Sequence, residues 1–168
     1  MRKQNESEEL AQRFRKQFAG TKVKEGEEPG EATDRSSPIS LNGPFQIRFE
    51  RADIKEMEFA LSTVYHRQIG YSEFKDPGIF GSLTAMEIFL WRGLREEDKK
   101  GELVHVFAAN TEGFDETGSL LWSFMTSGGD AGLLNRQIAD GFVATGLFRR
   151  VKKGGEQPAA EQKGAPKN

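Results

Sequence analysis

The chain contains no cysteine, which excludes disulfides, thiolate zinc sites, iron–sulfur clusters and cysteine nucleophiles. Histidine is almost as scarce, with only His66 and His105. No apolar run approaches the roughly 18–20 residues needed to cross a bilayer. The basic N-terminus also lacks the apolar stretch of a signal peptide. The expectation is a soluble chain working in the cytoplasm. The glycine signatures of nucleotide-binding and hydrolytic enzymes are missing as well: there is no Walker lysine, no G-x-G-x-x-G and no G-x-S-x-G.

What is present divides unevenly. Hydrophobic residues make up 36% of the chain and charged residues 30%, so part of it contributes nothing to a core. Residues 20–43 are rich in Gly, Glu, Ser and Pro and have few large apolar residues; they read as a flexible linker. Residues 151–168 read as a disordered basic tail. Residues 44–150 form the candidate helical domain. Across residues 41–148 there are 10 basic and 16 acidic side chains, against 6 basic and 2 acidic over 149–168. An acidic body with a short basic tail argues against a broad nucleic-acid face.

Residues 1–19 predict a short amphipathic helix, with Leu10, Phe14 and Phe18 in a narrow stripe. Too short to be stable alone, it would dock on its own domain or on a partner. Phe45 to Glu50 alternates apolar and polar, the pattern of a half-buried strand. Asp53, with Glu56 three residues on, reads as the cap of a helix bearing Ile54, Met57, Leu61, Val64 and Tyr65 on one face. Gly70 supplies its stop. Ser82 caps a helix that is apolar almost all round, from Leu83 to Leu94, and this should be the centre of the domain. Glu102–Ala109 fits a strand or a helix start, and Asn110–Gly118 an acidic loop. Ser119–Thr126 fits a short helix. Asp130 caps a last helix that ends near Gly146 and Arg149-Arg150. The fold class expected is mainly α, a small helical domain with a short N-terminal strand or hairpin, flanked by disordered tails.

Catalytic material is thin. Ser62 and His66 share a helical face without an oxyanion hole, and His105 sits between two valines; both histidines read as ordinary polar residues. Glu112, Asp115 and Glu116 lack the alternating ligands of a calcium loop, and Glu96-Glu97-Asp98 reads as a solvated turn. The glycines of Ser127–Gly132 precede a helix, a weak phosphate signal. No catalytic residue, metal ligand or cofactor site is assigned. The aromatics say more: Phe occurs 13 times, mostly as core. Trp and Phe are also enriched at interface centres. Phe89, Trp91, Leu94, Trp122 and Phe124 are therefore the candidate partner-binding residues, with Leu10, Phe14 and Phe18 as a candidate docking helix.

The order of these pieces resembles a known family. A strand FQIRFE leads into the capped helix ADIKEMEFALSTVYHRQIG. A Ser-capped apolar helix follows, ending in LW-x-GLR-x-ED (Trp91, Gly93, Leu94, Arg95, Glu97, Asp98). A final helix precedes a polar, basic tail. The pattern, over residues 44–150, resembles the tail assembly chaperones of long-tailed bacteriophages and related gene-transfer particles. The resemblance implies a small, non-enzymatic helical protein of the bacterial host cytoplasm. It would coat the tape-measure protein and help recruit tail-tube protein around it. The alternative is a structural or adaptor protein of the virion acting through a helical oligomer interface.

Overall fold

The computed structural model describes residues 4–18 and 43–146. The linker and tail expected over 20–43 and 151–168, and the basic pair Arg149-Arg150, lie outside the described residues apart from Gly43. The domain is mainly helical with one small sheet, as the sequence implies. Its elements are α1 (Gln4–Phe18), β1 (Phe45–Ile47), α2 (Arg51–Tyr65), α3 (Pro77–Phe80), α4 (Leu83–Gly93), β2 (Leu94–Glu97), β3 (Leu103–His105), α5 (Thr111–Thr126) and α6 (Ala131–Ala144). The three strands are antiparallel in the order β1-β2-β3.

Helix α4 is the hub, packed against α2, α3, α5, α6 and both β1 and β2. Its near-continuous apolar surface requires that many neighbours. Ser82 caps it, the hydroxyl accepting from the Ala85 amide at 3.1 Å. The helix stops at Gly93, and Leu94–Glu97 runs on directly as the central strand. This corrects the sequence reading of WRGLREED as a last helical turn running into solvated charges. Gly93 has a steric reason: a Cβ there would overlap the Phe49 ring. The Gly93 carbonyl also accepts from the Arg48 amide at 2.9 Å.

Phe45, Ile47 and Phe49 are buried in alternation, as the period-two pattern implied. Phe49 stacks on Phe142 of α6 with ring centres 4.0 Å apart. Phe142 also meets Phe89 edge-on at 5.0 Å, so one aromatic cluster joins the strand to α4 and α6.

The structure corrects several boundaries. Glu50, not Asp53, is the N-cap of α2, and Asp53 sits at the third helical position, accepting from the Glu50 amide at 2.7 Å. The stop of α2 is His66 at φ 51°, not Gly70; the Arg67 amide reaches back to the Ser62 carbonyl at 3.2 Å. Asn110–Gly118 is not a loop. Asn110 caps α5 by accepting from the Gly113 amide at 2.8 Å, and the helix runs unbroken to Thr126. Gly113 lets this happen, because a Cβ there would overlap the backbone of Ala108. Gly113→Ala is therefore expected to cost about 1–3 kcal/mol, the usual range for overpacking, read as a lower denaturation midpoint in urea. An unchanged midpoint would show that the Ala108 loop gives way freely.

Helix α1 docks on its own domain. Leu10, Phe14 and Phe18 are buried, and Phe14 packs against Phe18, Phe45 and Phe124. The Gln17 amide brackets Phe45, donating to its carbonyl at 2.7 Å and accepting from its amide at 2.9 Å. It thereby pairs backbone groups on the edge of β1 that the sheet leaves open. Arg13 forms an ion pair with Glu96 of β2. Of the two dockings the sequence allowed, the structure has the intramolecular one.

Candidate functional site

Two places concentrate polar or apolar side chains in ways that need explaining. The first is a charged cluster where α2, α4 and the sheet meet. Asp53 is 1% exposed, and Arg92 and Arg95 are each 5% exposed. Three residues apart across the helix-to-strand switch, both arginines turn inward toward Asp53. Arg95 donates to Asp53 Oδ2 at 2.7 Å, and Arg92 approaches Oδ1 at 3.5 Å. His105 of β3 places Nε2 2.7 Å from Oδ1. Arg95 also reaches Glu50 at 3.1 Å, and Arg92 pairs with Glu56.

Geometry limits what this cluster can do. Both Asp53 oxygens are already engaged, by two guanidinium groups, a ring nitrogen and the Glu50 amide. The arrangement joins four elements, α2, α4, β2 and β3. His105 uses Nε2 within this network. Among the described residues no group of three or more His, Asp or Glu side chains could hold a metal ion.

The remaining polar candidates have structural work. Ser62 accepts from the Ile69 amide at 2.8 Å, closing the loop after α2. Asp130 accepts from the Leu133 amide at 3.0 Å at the start of α6. Its carboxylate occupies the helix terminus where a phosphate would sit, and like charge would repel one. Glu112, Asp115 and Glu116 belong to the first turns of α5. Asp98 orders the β2–β3 turn through the Lys100 and Glu102 amides.

The second place is an apolar groove. Helix α4 runs antiparallel to α2, with Tyr65 beside Ser82 at one end and Glu56 beside Arg92 at the other. It also runs antiparallel to α5, with Glu87 against Gly118 and Trp91 against Phe114. Between α2 and the start of α5, over α4, lies a groove of about 550 Å³. It is lined by Phe59, Ala60, Thr63 and Val64 of α2, Ile88 and Trp91 of α4, and Thr111 and Phe114 of α5. Phe59 is 77% exposed and Val64 45%.

Trp91 is the fixed point of the groove. Its indole Nε1 donates to the Ala108 carbonyl at 2.8 Å, and its ring meets Phe114 edge-on at 5.7 Å. With its polar tip satisfied, it presents a held apolar face. One helical turn or more beyond it, Leu83 of α4 and Trp122 of α5 are also exposed, at 45% and 64%. Exposed apolar side chains gathered around a groove are unusual on a small monomeric domain.

The five partner-binding candidates from the sequence therefore separate. Trp91 lies in the groove and Trp122 on the adjoining surface. Phe89, Leu94 and Phe124 are a correction: they are 0%, 0% and 1% exposed, packed as core by α4's neighbours, and no partner can reach them. Sequence reasoning missed Phe59 and misplaced Val64, which the helical stripe of α2 assigned to the core. The signal for Phe59 was there. It is the one large aromatic of α2 off that stripe.

One charge lies on the α4–α5 seam. Glu87, half-buried on α4, has its carboxyl held above the ordinary glutamate range by burial and, secondarily, by the negative charge of Asp115. The folded state thus binds its proton more tightly than the unfolded state does. Stability from this group is fully present below the ordinary glutamate value and is lost as pH rises through the raised one. Glu87→Gln is accordingly expected to raise the melting temperature at pH 7 and to leave it unchanged near pH 3. A lowered melting temperature at pH 7 would show that the ionised carboxylate is stabilised by its surroundings.

No family model, curated protein or solved structure is significantly similar to this chain. No helix among the described residues is long and apolar enough to cross a membrane.

Proposed function

We propose that the protein is a non-enzymatic binding module whose α2–α4–α5 face covers an apolar stripe on a helix of another protein. With the resemblance of its motifs, this makes it a tail assembly chaperone that masks the tape-measure protein in the host cytoplasm and helps recruit tail-tube subunits. The observation that carries the reading is the groove around Trp91, with Phe59 and Val64 left exposed on its wall. A groove walled by two helices and floored by a third suits an amphipathic helix bound by its i, i+3, i+4 and i+7 side chains. The charged cluster is consistent with it from the other side, since both Asp53 oxygens are held by groups that tie α2, α4 and the sheet together. A chaperone requires an apolar surface and no chemistry.

Co-expression with an aggregation-prone segment of a tape-measure protein tests this. Wild-type protein is expected to bring the segment into the soluble fraction and co-purify with it. Phe59→Asp should abolish that rescue with no change in melting temperature, because the side chain is exposed. Failure of the wild type to rescue, or rescue undiminished by Phe59→Asp, would refute the reading. Mass spectrometry of assembled particles separates the adaptor alternative, since a chaperone is absent from them and an adaptor is present in fixed copy number.

A further inference from the structure

The charges around the groove constrain what its occupant carries. The groove itself is lined by one cation, Lys55, and one carboxylate, Glu56; beyond its lining, Glu87 lies on the α4–α5 seam and Asp115 on the exposed side of α5 next to Phe114. Glu56 is paired with Arg92. Among the described residues, neither Glu87 nor Asp115 has an ion-pair partner. Glu87 points across the α4–α5 seam at Gly118, one helical turn from Trp91. Asp115 stands three residues before Gly118 on α5, near enough for its charge to act on Glu87, so two like charges lie beside the groove.

Resting on the reading of the groove as a helix-binding site, we propose that the occupant is an amphipathic helix with lysine or arginine flanking its apolar stripe, and that Glu87 and Asp115 receive that cation. A cation there neutralises both carboxylates at once, in a seam that the bound helix dries. Charge pairs at such a rim set partner choice and association rate more than bulk affinity. A neutral or acidic helix would leave Glu87 desolvated beside a second negative charge, which penalises the wrong partner.

Two helix-forming peptides of roughly 20 residues, long enough to be helical in water, test this. They share one apolar stripe and differ only in flanking Lys or Gln. Each is titrated onto the full chain. The Lys peptide is expected to bind about tenfold tighter at low salt, with the advantage lost at about 1 M salt, where exposed charges are screened within about 3 Å. The advantage should also vanish in a Glu87→Gln, Asp115→Asn double variant whose thermal melt shows it folded. Equal binding of the two peptides overturns the inference and leaves the groove reading standing. So does a Lys advantage that persists in the double variant. Binding of neither peptide overturns both.

Discussion

Asp53→Ala is expected to cost about 3–5 kcal/mol of folding free energy, the range for removing one partner of a buried charge pair. The reason is the pair left behind. Arg92 and Arg95 have side chains only 6% exposed, so neither can turn to water for a new partner without opening the junction of α4 and β2. His105 and the Glu50 amide lose their acceptor in the same step. Asp53→Asn keeps a polar side chain of the same shape and isolates the charge; it should fall between alanine and wild type. Glu50→Gln is the control. Its side chain is 69% exposed, and its pair with Arg95 should be worth only about 0–1 kcal/mol. Urea denaturation of the three variants ranks them, and an Asp53→Ala protein as stable as Glu50→Gln would refute the junction role.

Phe14→Ala is expected to be about as damaging, at about 3–5 kcal/mol for a fully buried phenylalanine. Phe14 is 0% exposed and meets three other rings: Phe18 at 4.5 Å, Phe124 at 5.4 Å and Phe45 at 6.1 Å. Its removal leaves a cavity between α1, α5 and β1 that those rings cannot close without shifting the strand. The result also decides between the two dockings that the apolar stripe of α1 allowed. A helix reserved for a partner would lose its phenylalanine with no change in the melting temperature of the free protein. Loss of stability in the free protein is the outcome the packing requires.

Most of the helices could be read from the residues, because their signals are local. Ser82 and Asp130 announce α4 and α6 by side-chain oxygens that cap the first amides. The alternation of Phe45, Ile47 and Phe49 fixes which face of β1 is buried. The failures share a different origin. Helix α5 begins in residues of low helix propensity, with Gly113 and Gly118 among them, because those glycines are needed for close approach to Ala108 and Glu87. Strand β2 reads LREE, with no apolar alternation, because its Arg95 faces a buried aspartate rather than an apolar core. Nothing in the local sequence of either arginine names Asp53 as partner, some forty residues away along the chain.

The candidate site was legible only in part, for the same reason. Trp91 and Trp122 were singled out by residue type, and so were Phe89, Leu94 and Phe124, which lie in the core. Residue type alone cannot say which side of a helix that is apolar all round will be covered. That depends on how α2 and α5 flank α4, and their antiparallel placement leaves Leu83, Glu87 and Trp91 outward. Phe59 and Val64 join them across the groove.

The most direct measurement of the binding face is NMR mapping of the full chain as the Lys-flanked apolar peptide is added. The backbone amides of Phe59, Val64 and Phe114 and the indole N–H of Trp91 should shift together and saturate together, while those of α1 and α6 stay in place. Peptide binding that leaves those four signals unmoved, or moves α1 or α6 instead, would contradict a helix-binding groove on α2, α4 and α5.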